Sequence, residues 1–118
     1  METKCELDSR NPDSVLGELA KAARSLIVQA KPSPYGIIGA GVGVAGIVDD
    51  SGVVLFAPNL EWEQVELKRL LHEELNVPVT IDNEANAGAL GEMMYGAATH
   101  AADIVYLSVG TGIGSGIV

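Results

Sequence analysis

A chain of 118 residues can hold one domain or part of one. A composition that is 47% hydrophobic and 19% charged excludes a disordered chain. A net charge of −9 excludes binding to DNA or an anionic membrane through the chain's own bulk field, and a single cysteine, Cys5, excludes an internal disulfide and a four-cysteine zinc site.

The stretch "NPDSVLGELAKAARSLIVQA" predicts a helix over residues 11–30. Asn11 is placed to cap it, Pro12 suits the first helical position, and Asp13 complements the positive helix end. Val15, Leu16, Leu19, Ala23, Leu26 and Ile27 recur at helical spacing. "KPSPYG" is a breaker. "IIGAGVGVAGIV" interleaves β-branched residues with glycine, which predicts a buried strand running into a loop of close backbone approach. "DDSG" is a turn, "VVLF" a short strand, and "APNLEW" irregular. Residues 64–75 predict a second amphipathic helix, with Leu67, Leu70, Leu71 and Leu75 inward and Pro78 after its end. "VPVTI" is a strand that feeds "DNEANAGALGE", the start of a third helix ending near Gly96. "DIVYLSVG" is a strand, "TGIG" a tight turn, and "SGIV" the start of another strand. This order predicts an α/β fold, a mixed sheet with flanking helices.

Fourteen glycines with few aromatics imply an aliphatic core with close backbone contacts. No apolar run reaches the ~20 residues of a membrane span, and there is no signal-peptide pattern, so the cytoplasm is the expected compartment. The strand-like run that stops at Val118 without a closing turn, and the linker-like opening "METKCELDSR", lead us to expect part of a longer protein.

Three stretches are candidates for chemistry. "IDNEANAGALGE" follows a strand and opens a helix, where side chains of an α/β fold face the ligand crevice. Asp82, Asn83 and Glu84 suit hydrogen bonding to hydroxyls, although capping and dipole complementation explain them equally well. Ala85, Ala87, Gly88, Ala89 and Gly91 indicate tight helix packing. "VGTGIGSG" is a Gly-rich turn whose N–H groups would cradle a phosphate. It lacks the Lys-Ser/Thr and the following helix of a P-loop, and a plain hairpin turn accounts for it in isolation. Asn59, in the irregular "APNL", is a binding residue or a turn residue. His72 and His100 have no metal or nucleophile context, and Trp62 suits core packing or a pocket wall.

Taken together and in order, "GVGVAGIVD" with "GVVLFAPNLEW", "VPVTIDNEANAGALGE" and "DIVYLSVGTGIGSGIV" resemble the ROK family of repressors, open reading frames and sugar kinases. The resemblance covers the chain from about Pro34 onward. It implies an actin-like, ribonuclease-H-like ATPase fold of two α/β lobes with a sugar site in the cleft. Residues 1–100 would form the later part of the first lobe, and residues 101–118 the opening strands of the second. The family's first phosphate loop would precede Met1, and its zinc-binding Cys/His cluster would follow Val118.

In family kinases the helix mouth carries Asn-Asp: the Asn holds sugar hydroxyls and the Asp takes the proton from the attacked hydroxyl. Here the pair is Asn83-Glu84, and Ala45 replaces a favoured Pro. "NEAN" resembles the repressor branch, the xylose-repressor type, more than the kinases.

The resemblance implies a catalytically inactive, sugar-sensing effector-binding region with Asn59, Asn83 and Glu84 at the sugar. Gly110, Thr111 and Gly112 would form the second phosphate loop, as a remnant or in working order. The effector would be xylose or a hexose, DNA would be bound only through a domain outside this chain, and a homo-oligomer is expected. No cofactor is expected in this chain itself, with ATP and magnesium left open. The alternative is an ATP-dependent, glucokinase-like sugar kinase with Glu84 as its base.

Overall fold

The computed structural model describes residues 10–29, 36–110 and 112–118. Helix α1 (Pro12–Gln29) begins where the sequence places it. The side-chain oxygen of Asn11 accepts from the N–H groups of Asp13 and Ser14 at 3.1 and 3.4 Å, satisfying donors that a first helical turn leaves without carbonyls. Its apolar stripe is only partly covered: Val15 and Ala20 are buried, while Leu19 and Ile27 are not. Apart from Gly36, the breaker that follows lies outside the described residues, as does Cys5.

The Gly-interleaved run divides into strands β1 (Ala40–Val44) and β2 (Ile47–Val48), with a turn at Ala45 and Gly46. Only Val44 of β1 is buried, so the strand is less enclosed than its composition predicts. The Asp49 carboxylate accepts from the N–H groups of Ser51 and Val53, and Gly52, at φ +77°, completes the reversal into β3 (Val54–Ala57). A 3-10 turn (Pro58–Leu60) leads to β4 (Trp62–Val65). The second helix, α2 (Leu67–Leu75), therefore starts three residues later than its periodicity predicts. Gln64 and Val65 belong instead to β4, which pairs antiparallel with β3, and tertiary pairing overrides the helical pattern there. Strand β5 (Val79–Asn83) passes directly into α3 (Glu84–Tyr95), and β6 (Val105–Val109) and β7 (Ile113–Ile117) form a hairpin.

Parallel and antiparallel pairing coexist. β1 pairs parallel with β5, β2–β3–β4 form an antiparallel ladder, and β6 pairs antiparallel with β7. β2 lies beside β5, which links the first two ladders. The main core gathers Val44, Val54, Trp62, Leu67, Leu71 and Val79. α1 and α2 pack together, tied by an Arg24–Glu74 ion pair at 2.8 Å.

Helix α3 bridges β1 and the hairpin. Its small residues permit this. Ala85 and Ala89 are buried, and a Cβ placed at Gly116 of β7 would stand 2.5 Å from the Ala85 carbonyl oxygen. Gly88 meets the ring of Tyr106, whereas Ala87 and Gly91 face outward. The opposite face of the hairpin exposes Val105, Leu107, Val109, Ile113 and Ile117.

Candidate functional site

Because β1 and β5 run parallel, both end at the same edge of the fold. β1 ends in the Ala45–Gly46 turn and β5 ends at the mouth of α3. This is the edge where α/β folds hold ligands. A cleft of about 410 Å³ opens there, within the range of small-molecule sites. One wall carries Ala45, Asn59, Asn83 and Glu84, and the other carries Ser108, Gly110, Gly112 and Gly114 of the hairpin. Residues far apart in sequence thus meet. Asn59, Asn83, Glu84, Gly110 and Gly112 all line the cleft, while Thr111 lies outside the described residues.

The polar groups of the first wall have distinct tasks. The Asn83 Oδ1 accepts from the N–H groups of Ala85 and Asn86 at 2.9 and 3.2 Å and so caps α3. Its Nδ2 donates to the carbonyl oxygen of Gly46 at 2.8 Å. One N–H of that amide is left to reach a ligand. Glu84 is the first residue of α3, and its carboxylate accepts no hydrogen bond among the described residues. The helix dipole favours an anion at this position. Gly43 lets the strand pass close, since a Cβ there would sit 3.4 Å from the Glu84 Cα. Asn59 is exposed on the 3-10 turn. Asp82, also exposed, turns back to accept from the N–H of Asn83 at 2.7 Å.

The hairpin wall is built of backbone and small side chains. Added Cβ atoms at Gly110 and Gly112 would meet nothing within 4 Å, so the turn leaves room for a bulky ligand. The N–H of Gly110 is already given to the carbonyl of Gly112 at 2.9 Å, which removes one donor from a phosphate cradle. No Lys, Arg or His lines the cleft among the described residues, and its one charged group is the acid Glu84. Hydroxyl-bearing neutral ligands suit this lining better than polyphosphates, whose charge it does nothing to offset.

Ser108 is a wall residue that the sequence reading passed over. Its signal was a small polar residue alternating to the Tyr106 face of β6. The bond between Asn83 and Gly46 spans 37 residues and has no sequence signal. Trp62 is 2% exposed and serves the core, beside a smaller apolar cavity under the 3-10 turn. His72 is exposed, with Nδ1 2.8 Å from the Val77 carbonyl oxygen, and His100 lies exposed beyond α3. Among the described residues no three His, Cys, Asp or Glu side chains gather as a metal site, and no helix is long and apolar enough to cross a membrane.

A family model described as the ROK family matches residues 2–118. The chain belongs to the ROK family. It is 43% identical over 112 residues to a xylose repressor of Bacillus subtilis, covering 95% of this chain and 29% of that protein. It is also 43% identical over 83 residues to a glucokinase of Halalkalibacterium halodurans, covering 70% of this chain and 25% of that protein. A ROK family glucokinase from Streptomyces griseus, solved with glucose and AMPPNP, matches with a TM-score of 0.74 at 33% identity, over 86% of this chain and 33% of that one. The chain therefore spans between a quarter and a third of these relatives, and its elements belong to the actin-like ATPase fold.

Proposed function

We propose that this chain is the sugar-sensing, effector-binding region of a ROK-family transcriptional repressor that does not catalyse phosphoryl transfer. The observation that carries this reading is the cleft itself. Its first wall offers Asn59, Asn83 and Glu84 to hydroxyls, and no basic residue faces it among the described residues. The similarity to a xylose repressor over 95% of the chain supports the same reading, with xylose or a hexose as effector. DNA would be bound by a domain outside this chain, and the sugar would act by favouring one arrangement of two lobes. The uncovered apolar face of the hairpin supports its role as the opening of a second lobe.

The length of Glu84 is the physical argument against catalysis. Phosphoryl transfer needs its base aligned on the attacked hydroxyl and in line with the phosphate. One methylene more than Asp displaces the carboxylate by over ~1 Å, and such a displacement costs ~10²-fold in rate. Hydrogen bonding to a sugar tolerates the change.

The second reading, an ATP-dependent sugar kinase, is favoured by the glucokinase similarity and by the open Gly-rich turn. Glu84 would then take the proton of the attacked hydroxyl, and Gly110 and Gly112 would face the phosphates.

The test is calorimetry and coupled ATP turnover on the full-length gene product, with xylose and a hexose panel. The expected result is binding of one sugar without turnover. Turnover that collapses in Glu84→Ala would overturn the sensor reading. Turnover gained only in Glu84→Asp would support it and assign the loss of chemistry to one methylene.

A further inference from the structure

We propose that Asn83, besides offering one N–H to the cleft, is a positioning residue: its amide latches the Ala45–Gly46 turn to the mouth of α3 and so sets the spacing of Asn59 and Ala45 against Glu84. The latch stands on geometry alone, and only its effect on affinity rests on the sugar-site reading above.

Asn83 uses both ends of its side chain. Oδ1 holds the first N–H groups of α3, and Nδ2 holds the carbonyl of Gly46 at 2.8 Å. Gly46 is pinned from the other side as well. A Cβ there would stand 2.5 Å from the Phe56 carbonyl oxygen and 2.8 Å from the Ala57 Cβ, so the turn rests directly on the backbone of β3. Ala57 is followed at once by the 3-10 turn that carries Asn59. A continuous chain of contacts therefore runs from Glu84 through the Asn83 amide and Gly46 to β3 and Asn59. Both ends of that chain line the cleft, and Ala45 lies in its middle. With three of its hydrogen-bonding positions committed to backbone, Asn83 keeps one N–H for a ligand and also holds these groups apart at a fixed distance.

Two substitutions separate the latch from the cap. In Asn83→Ser the hydroxyl still caps α3 but is too short to reach Gly46. In Asn83→Asp the cap also remains, and an oxygen now opposes the Gly46 carbonyl. Amide hydrogen exchange of the full-length gene product reads the outcome, since the Gly46 N–H donates to Val44 within the latched turn. Exchange over residues 45–48 is expected to rise about 10-fold in both variants, with residues 85–89 still protected. Gly46→Ala, which forces the turn off β3, should raise exchange in the same segment. Unchanged exchange over residues 45–48 in the Ser and Asp variants overturns the latch.

Calorimetry with xylose, glucose and their deoxy analogues supplies the functional arm. A displaced wall weakens every analogue, including one that lacks the hydroxyl Asn83 itself meets. A loss confined to analogues that keep that one hydroxyl would leave Asn83 a direct contact only and overturn the positioning role. If the parent binds no sugar, the sugar-site reading fails while the exchange result still decides the latch.

Discussion

Adding one methyl group at Gly116 and adding it at Gly91 should change stability in opposite directions. At Gly116 the new Cβ would lie 2.5 Å from the Ala85 carbonyl oxygen and 3.0 Å from the Ala89 Cβ, both on the buried face of α3. Ordinary contact begins at 3.4 Å, so α3 and β7 must part by about 0.9 Å. Neither partner can rotate away, because one contact is backbone and the other is a methyl. Overpacking of this kind costs about 1–3 kcal/mol. At Gly91, exposed on α3, the new methyl meets nothing within 4 Å. Relief of the glycine penalty there should stabilise by about 0.5–1 kcal/mol. Urea denaturation of the full-length protein, followed by far-UV circular dichroism, should show a lower midpoint for Gly116→Ala and a higher one for Gly91→Ala at an unchanged slope. Glu84 opens α3, so on the proposed sugar-sensing reading the shift at Gly116 should also weaken sugar binding, while Gly91→Ala leaves it intact. A Gly116→Ala protein as stable as its parent would refute the close approach of helix and hairpin on which the cleft depends.

Three further outcomes follow from the same geometry. Trp62→Ala should cost about 3–5 kcal/mol, read as a fall in the urea midpoint, because Trp62 is 2% exposed at the centre of the main core. Asn11→Ala removes the cap of α1 and should cost about 1 kcal/mol, whereas Asn11→Asp or Asn11→Ser should retain most of it. The hydrogen bond from Arg69 to Glu66 at 2.7 Å, reinforced by its charge, holds the Glu66 carboxyl below the ordinary value of 4.5. A lowered folded value means stabilisation that is present above the ordinary 4.5 and lost as the pH falls below it through the lowered folded value. The urea midpoint should therefore fall more, as the pH is taken below the ordinary 4.5, in the parent than in Glu66→Gln. An identical pH profile in the two proteins would remove Glu66 as a contributor.

Much of the local structure was legible because it is written in neighbouring residues. Asn11-Pro12 announces α1 through a cap and a preset φ, and both act within one turn. Asp49-Asp50-Ser51-Gly52 announces its turn because the Asp49 side chain needs only residues two and four positions ahead. The start of α2 was misplaced because Trp62–Val65 becomes a strand only by pairing with β3. Glu61 and Gln64 adopt left-handed backbone at φ 56° and 52°, which neither residue type signals. The candidate site was legible as three separate segments, each with a local explanation at least as good as a ligand-binding one. Asn83 shows why this was so: it is a helix cap and a cleft residue at once, and one local pattern serves both.

The sequence by itself determined the three helices and the strands beside them apart from β4, the cap of α1, the aliphatic core and the family, because each depends on residue type and short-range spacing. The tertiary structure alone decided what each glycine is for. Gly46 and Gly116 are places where backbones meet, and Gly91 opens onto nothing, yet all carry the same letter. It also decided that Asn83 would reach Gly46 and that Asn59, Glu84 and the hairpin turn would share one cleft. Those outcomes depend on the parallel register of β1 with β5 and on the approach of α3 to β7. Both are long-range contacts whose partners no local pattern names.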